Sequence, residues 1–585
     1  MKDNMKEKIL EFLKEELEFK LDYEKLLEKP KVAGNGDFSF PCFILSKDLG
    51  KNPALISKEL ADKLSQNLPN FLFKVESSGP FLNFYLNLSY EANMVFKAFD
   101  DSSALKFDVG KKNIRKILIE YPSPNTNKSL HLGHVRNILI GNSLSLILKK
   151  IGHKVVRTNL NNDRGIALCK AMIGFDLFYK NETPSSLNLK SDEFVSMCYV
   201  KFGEEAAKNP KLNDDAQSML FLWENGDKEV RNLWNKLLKW VFEGYKQTYS
   251  DFKLLKFDKE YYESQIYDKG KEIVLDALSR NVSGFGKEED GAIFCDLSDK
   301  KFDKKYLLRK DGTTLYMTQD LYLAALKEKE FKCDKYVFIV GKEQEYHFNV
   351  LFEILDRIGF GGLDKNFHFA YGYVYDKDGK KFSSRKGKII GADWLLNEVV
   401  SCAEKNLMKK DYNLSSKDEI KRRARIIGYS ALAFSFLKIN PLDDIKFDIE
   451  KALAFEGDTG PYVQYTYARI RSILSKALDL GVDSRKLNVK NINLDVLGEG
   501  ESRLVKILKD YPLVLKDAGE KYKISAIANY LIKVCQAFNL FYQECPILKA
   551  DTEEIRNIRL LLAKYTSQLL MDGLGLLDIE TLDEM

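Results

Sequence analysis

A strand-like run, Lys116-Ile117-Leu118-Ile119-Glu120-Tyr121, precedes His131-Leu132-Gly133-His134, a helix-like run from Val135 to Lys150, and a second strand-like run, Lys154-Val155-Val156-Arg157. Two apolar strands joined through a helix pair in parallel with a right-handed crossover, so the centre of this chain is a βαβ unit. The alternation resumes at 336–341 and again at 368–375. Residues 175–300, helical and charged, read as a helical insertion between the halves of a doubly wound sheet. Such sheets bind ligands at the carboxyl ends of their strands, where the strand order reverses. Both the tetrad and a basic loop, Lys381-Phe382-Ser383-Ser384-Arg385-Lys386-Gly387-Lys388, follow strand ends.

Two units of different character flank this centre. Residues 1–108 read as a small α+β unit, with an amphipathic start (Ile9, Phe12, Leu13, Leu17) and a turn-rich break at Gly34-Asn35-Gly36-Asp37. A helical stretch from Pro53 to Leu64 follows, then two strand-like runs, 71–75 and 81–86, split by the turn Ser77-Ser78-Gly79-Pro80. Beyond about residue 411 only helical periodicity is visible. From Tyr462 onward, Val463, Tyr467, Ile470, Leu474 and Ala477 share one face, with Tyr465, Arg469, Ser472 and Lys476 opposite. The expected organisation is 1–108, then 109–410 with its insertion, then 411–585.

Composition excludes several classes. The chain has 585 residues, 45% apolar and 30% charged, the balance of a soluble multidomain protein. It contains no apolar run of about 18 residues, so no membrane span is expected. The charged start, Met1-Lys2-Asp3-Asn4-Met5, lacks the apolar core of a signal peptide. Eight cysteines without CxxC spacing argue against a structural metal or disulfide framework and for a reducing cytoplasm. A net charge of +5 neither requires nor excludes nucleic acid.

The tetrad carries the chemistry. Two of the chain's five histidines lie in it. Backbone N–H groups at a helix N-terminus attract phosphate, and the helix dipole adds to the pull. Gly133 leaves room for a nucleobase against the backbone, while His131 and His134 can donate to phosphate oxygens as charge develops. In the basic loop, Ser383 and Ser384 give mobility, and Lys381, Arg385 and Lys386 can close on a leaving pyrophosphate. A third group suits a cationic substrate. Glu120, Ser123 and Asn125 precede the tetrad; Tyr316 and Asp320 lie four apart, on one helical face; Gln344 and His347 follow the 336–341 strand. A carboxylate beside an aromatic ring receives a guanidinium by paired hydrogen bonds and stacking.

Together these segments resemble the class I aminoacyl-tRNA synthetases, and within them the arginyl-tRNA synthetase family, over almost the whole chain. His131-Leu132-Gly133-His134 and Lys381-Phe382-Ser383-Ser384-Arg385 are similar to the family's HIGH and KMSKS signatures. The segments 120–128, 311–320, 340–348 and 455–469 are similar to arginyl-type stretches. The resemblance implies a Rossmann-like catalytic domain, an α+β N-terminal domain that binds the tRNA elbow, and an all-α anticodon-binding bundle. It implies arginine activation by ATP with Mg2+ to an arginyl-adenylate, dependent on bound tRNA, and esterification to the terminal adenosine of arginine tRNA. AMP and pyrophosphate are the products.

By position, Ser123, Asn125 and Gln344 would hold the α-amino end, Glu120, Tyr316, Asp320 and His347 would surround the guanidinium, and His131, Gly133 and His134 would face ATP. Arg385 stands where the pattern has its second Lys, and the resemblance assigns that charge to Lys128. The chain ends Leu-Asp-Glu-Met, where the family more often has Pro-Glu-Arg-Met. No editing domain is expected, because a site built for a charged fork rejects analogues that leave its carboxylates unpaired.

Anticodon bases are held by aromatic stacking and by cations on phosphates, which marks Tyr465, Arg469 and Lys476. Phe81 and Asn83 are the candidate elbow contacts. A cytoplasmic monomer without membrane contact is expected. Two other readings stay open: an HxGH nucleotidyltransferase acting on a small phosphorylated acceptor, and a tRNA-binding paralogue without catalysis.

Overall fold

The structure is a computed structural model and describes residues 2–16, 26–30, 32, 34–380, 391–409 and 416–585. Helix α1 (Lys2–Glu16), strand β1 (Phe38–Pro41), helix α2 (Pro53–Leu64) and strands β2 (Leu72–Ser78) and β3 (Phe81–Leu86) build the N-terminal unit. Its antiparallel sheet has the order β1-β3-β2, so Phe84 of the middle strand lies opposite both Phe38 and Val75. Ile9, Leu13, Phe40, Leu64, Leu82 and Phe84 fill its core. Asn52 caps α2 by accepting from the Ala54 N–H at 2.9 Å, with Pro53 in the first turn. Helix α3 (Leu88–Asp100) then leaves this unit.

The central sheet is parallel. It contains β4 (Lys116–Glu120), β5 (Lys154–Asn161), β6 (Lys259–Tyr262), β10 (Lys335–Gly341) and β11 (Asn366–Tyr371), in the order β11-β10-β4-β5-β6. The chain winds outward from β4 through β5 to β6, then resumes on the other side at β10. The order therefore reverses at the β4/β10 junction, where the carboxyl ends open a crevice. Ile117, Leu118 and Ile119 are buried, as a strand covered on both faces requires. Helix α4 (Leu132–Lys150), which joins β4 to β5, is enclosed on all sides, with Arg136, Asn137, Asn142 and Ser143 buried beside Val135, Ile138 and Leu144.

Helices α5 (Ile166–Phe178), α6 (Ser191–Ala206), α7 (Lys211–Glu224) and α8 (Lys228–Asp251) follow β5. The stretch 175–300 is not uniformly helical. It returns to the main sheet as β6, whose Lys259 lies opposite Thr158, and after α9 (Lys271–Ser279) it enters a three-stranded antiparallel sheet. That sheet comprises β7 (Phe285–Lys287), β8 (Ile293–Cys295) and β9 (Lys305–Leu308). An edge strand of four residues with one buried side chain shows no apolar run, which is why periodicity passes over it. Helix α10 (Tyr316–Phe331) precedes β10, and α11 (Glu345–Ile358) precedes β11.

The run 368–375 also divides. Gly372 breaks it, and β12 (Val374–Asp376) pairs instead with β13 (Ile445–Phe447). A Cβ at Gly372 would stand 2.5 Å from Asp444 Oδ1, so only glycine lets the chain pass there. Helices α12 (Ala392–Lys409) and α13 (Lys417–Leu437) precede β13, and α14 (Gly460–Asp479), α15 (Glu499–Leu508), α16 (Tyr511–Glu520), α17 (Ser525–Glu544) and α18 (Glu553–Leu576) complete a bundle. Val463, Tyr467, Ile470, Leu474 and Ala477 are all buried, as their spacing predicts. The bundle core is continuous with that of the central domain. Among the described residues, no helix is long and apolar enough to cross a membrane.

Candidate active site

The crevice at the β4/β10 junction collects the tetrad. His131 is the N-cap of α4, and its Nδ1 accepts from the Gly133 N–H at 3.1 Å. In return the His131 N–H donates to His134 Nδ1 at 3.1 Å, a reciprocal capping box made by two imidazoles. The rings lie 4.0 Å apart. Burial pushes His131 down to about 4, and Lys128 nearby adds to the shift. His134 is lowered further, by burial, by His131 and by Lys128. Both rings are therefore neutral at physiological pH, and with Nδ1 accepting in each, the proton sits on Nε2. A Cβ at Gly133 would meet His131 Cε1 at 2.9 Å, so glycine preserves the cap itself.

The segment between β4 and the tetrad is strapped to the end of β5. Ser123 adopts a positive φ of 51°, a strained conformation that its surroundings fix. Its N–H donates to Asn159 Oδ1 at 3.1 Å, its Oγ accepts from the Leu160 N–H at 3.3 Å, and its carbonyl accepts from Asn162 Nδ2 at 3.1 Å. Asn125 is exposed and forms a bridge with Asn162. From α8, the Tyr245 hydroxyl reaches the carbonyls of Asn125 and Lys128 at 2.9 and 2.6 Å.

A carboxylate group is built between α10 and α11. Asp320 Oδ2 is 2.7 Å from His347 Nε2, and the Tyr316 ring stands 5.9 Å from that of His347. Tyr316 is exposed, at the mouth of the group. Gln344 is exposed in the turn between β10 and α11. Asn137 of α4 donates to the Ile339 carbonyl at 2.7 Å, which seats the start of the tetrad helix against the end of β10.

Sequence reasoning missed Glu263, in the turn after β6. Burial pushes its carboxyl up to about 7; Arg164 opposes the shift, while Asp163 and Asp320 reinforce it. That turn is fastened to both neighbours. Asp163 accepts from the Ser264 N–H and Oγ at 2.8 and 2.7 Å, and the Tyr267 carbonyl accepts from Thr314 Oγ1 at 2.9 Å and Gln319 Nε2 at 3.3 Å. The only sequence signal was a carboxylate directly after Tyr261-Tyr262, inside a stretch read as insertion.

Glu120 has a partner within the protein. Its carboxylate, nearly buried, is ion-paired with Lys327 of α10, itself 1% exposed. A buried ammonium requires a counter-charge, and Glu120 supplies it.

The basic loop residues Lys381, Ser383, Ser384, Arg385 and Lys386 lie outside the described residues. Both stems are described. Lys380 closes a turn on Asp376 after β12, and Gly391 bridges His131 while the Ala392 N–H donates to the Leu130 carbonyl at 2.8 Å. Asp393 then accepts from Lys190 at 2.6 Å and from Thr248 Oγ1 at 3.0 Å.

Of the RNA-facing candidates, Phe81 is exposed and meets the exposed Phe43 edge-on at 6.2 Å. Asn83 is 2% exposed, and its Oδ1 accepts from Ser39 Oγ at 2.7 Å. It lies on the same face of β3 as Phe81, two residues on, but is covered there against Ser39, its register partner on β1. Arg469 donates to Tyr465 OH at 3.1 Å and to Asn539 Oδ1 at 3.2 Å, and its guanidinium lies 4.9 Å from the Tyr465 ring. Lys476 is exposed on the same face.

Residues 101–449 match the family model described as tRNA synthetases class I (R), catalytic domain. An arginine–tRNA ligase of Treponema denticola is 38% identical over 568 residues, spanning 96% of this chain and 94% of that protein. The chain belongs to the arginyl-tRNA synthetase family. Two further family models agree: the arginyl tRNA synthetase N terminal domain at residues 3–86 and the DALR anticodon binding domain at 463–585. An arginine–tRNA ligase of Bacteroides fragilis is 37% identical over 588 residues, spanning 96% of this chain and 95% of that one. The arginyl-tRNA synthetase structures of Thermus thermophilus (TM-score 0.74, 24% identity, all of both chains) and Plasmodium falciparum (0.73, 20%, covering 94% of this chain and 93% of that one) share the fold.

Proposed function

We infer that the protein ligates L-arginine to its tRNA at the expense of ATP, in the cytoplasm and as a monomer. The observation that carries this reading is a cluster of carboxylates, Asp320 and Glu263, facing Tyr316, in a domain whose tetrad gives a helix N-terminus with two neutral histidines. A guanidinium is the cation that such an arrangement takes, by paired hydrogen bonds and stacking. The helix N-terminus takes phosphate.

Arginine lies with its guanidinium on Asp320, Glu263 and Tyr316, and His347 fixes the Asp320 carboxylate. Ser123, Asn125 and Gln344 receive the α-amino end. The α-carboxylate oxygen attacks the α-phosphorus of ATP, the bond to the β-phosphate oxygen breaks, and pyrophosphate leaves with that electron pair. His131 and His134 donate from Nε2 to phosphate oxygens as negative charge grows, and Lys128 and the basic loop add positive charge. A ribose hydroxyl of the terminal adenosine then attacks the arginyl carbonyl and AMP departs. Glu120, paired with Lys327, holds the pocket wall rather than the substrate. Among the described residues, no group of His, Cys, Asp and Glu side chains is arranged to hold a metal. Mg2+ would accompany ATP and add positive charge at its phosphates. Arg469, Tyr465 and Lys476 receive anticodon nucleotides and Phe81 the tRNA elbow, with the activation step dependent on bound tRNA.

Charging of total tRNA with each radiolabelled amino acid in turn tests this. Arginine alone should become acid-precipitable, with one AMP released per ester. Charging by another amino acid, or none with any, would overturn it.

A further inference from the structure

Asn142 lies midway along α4, fully buried, at a point where four separate segments meet. Its Oδ1 accepts from the Tyr121 hydroxyl at 3.1 Å and from the Leu255 N–H at 3.2 Å. Its Nδ2 donates to the Lys253 carbonyl at 2.9 Å and to Asp578 Oδ2 at 3.1 Å. A primary amide has two acceptor sites and two donor protons, and all four are used here.

Each of the four partners leads somewhere functional. Tyr121 directly follows β4 and precedes Ser123 and Asn125 by only a few bonds. Its ring packs on α4, where a Cβ at Gly141 would overlap it at 2.2 Å. Lys253 and Leu255 belong to the connection that leads into β6 and hence to Glu263. Asp578 lies just beyond α18, at the start of a tail that packs back on the bundle through the buried Ile579 and Leu582, with the Glu580 carbonyl accepting from Gln464 at 2.6 Å. Asp578 also faces the Lys253 ammonium. A second contact runs alongside: Lys150 at the end of α4 is ion-paired with Asp572 of α18, which accepts from Tyr511 OH at 2.7 Å.

We propose that Asn142 is a positioning residue of the arginine site and that Asp578 makes the C-terminal segment a working part of it. The amide sets the spacing between the β4 exit, which presents Ser123 and Asn125, and the β6 approach, which presents Glu263, and Asp578 fixes the amide's orientation. The two ends of bound arginine are thus held to one ruler, anchored in the anticodon bundle. Displacement of reacting groups by about 1 Å costs of order 100-fold in rate, so a saturated buried node is a direct means of holding them. This rests on the ligase reading, and the wild-type protein is its control: if wild type charges no tRNA with arginine, that reading fails before any variant is considered.

The test is a swap. Tyr121→Phe, Asn142→Asp, Asp578→Asn and the double variant Asn142→Asp/Asp578→Asn are compared in full-length form for arginine KM, kcat, tRNA Kd and melting temperature. Asn142→Asp opposes two carboxylates and should raise arginine KM about tenfold, with tRNA Kd unchanged; Tyr121→Phe should raise it severalfold, and the double variant, which restores a donor facing an acceptor, should recover most of the loss. A merely structural role would lower the melting temperature and the active fraction together while leaving KM alone. Wild-type arginine KM in the folded variants, or a double variant whose defect is the product of the singles, overturns the proposal. Should Asn142→Asp not fold, Tyr121→Phe and Asp578→Asn decide it by the same KM criterion.

Discussion

His131 and His134 each commit Nδ1 to a backbone N–H, which leaves Nε2–H as the donor of both rings. Neutral donors suit a site that meets polyanionic ATP and must afterwards release pyrophosphate, because an imidazolium would hold the product as tightly as the transition state. Glu263 works by the opposite logic. Its carboxyl, raised to about 7 by burial and by the neighbouring carboxylates, is half protonated near neutrality in the free protein. A guanidinium keeps its charge at any such pH and binds the carboxylate form. Arginine KM should therefore rise as pH falls below about 7, approaching tenfold per pH unit once the acid form predominates. Glu263→Gln should weaken arginine use and flatten that slope. Arginine KM measured from pH 6 to 8 checks it; a slope unchanged in the variant would assign the titration elsewhere.

At the scale of the element, local signals survived and long-range ones did not. The helix Pro53–Leu64 and the start of α4 were legible because their signals are local in sequence, and the structure adds Asn52 and His131 as their caps. β6 was hidden, since its four residues bury one side chain and acquire meaning only against β5. The break at Gly372 was equally hidden, because the aspartate that forces it lies beyond α13. In the candidate site, the tetrad lies at the start of α4 and Tyr316 and Asp320 lie within about one turn of α10, so each group is visible in local sequence. Glu263 depended on β6, the Glu120–Lys327 pair on α10 crossing the sheet, and the burial of Asn83 on Ser39 of another strand. The capping box itself carries a prediction. Gly133→Ala places a methyl 2.9 Å from His131 Cε1, which must swing the ring off its cap. The charging rate should fall about 100-fold, the loss expected when one positioned donor is misplaced, with tRNA affinity retained. A rate within twofold of wild type in gel-filtered protein would show that the His131–Gly133 contact is dispensable.

Across the whole molecule, the helix that leaves the N-terminal unit, α3, is fastened to the anticodon bundle. From α3, Glu91 is ion-paired with Lys509, which caps the end of α15, in a nearly dry interface, Phe99 stacks on Tyr565 at 5.0 Å, and Asp100 Oδ1 accepts from Tyr565 OH at 2.8 Å. Lys509→Met strands a buried carboxylate and should cost about 3–5 kcal/mol, more than the double change that also makes Glu91→Leu; urea midpoints for both variants measure it, and equal midpoints would mean that the interface is hydrated. On the proposed reading, these contacts would set an RNA at the Arg469 face in a defined relation to the crevice where β4 and β10 part. At that crevice the account rests on a guanidinium meeting Asp320 beside the tetrad. The most direct measurement is therefore kcat/KM for arginine in tRNA charging by Asp320→Asn. The account predicts a loss of about 100-fold or more through the missing charge-assisted pair, with ATP KM and tRNA Kd unchanged; arginine kinetics equal to wild type would contradict it.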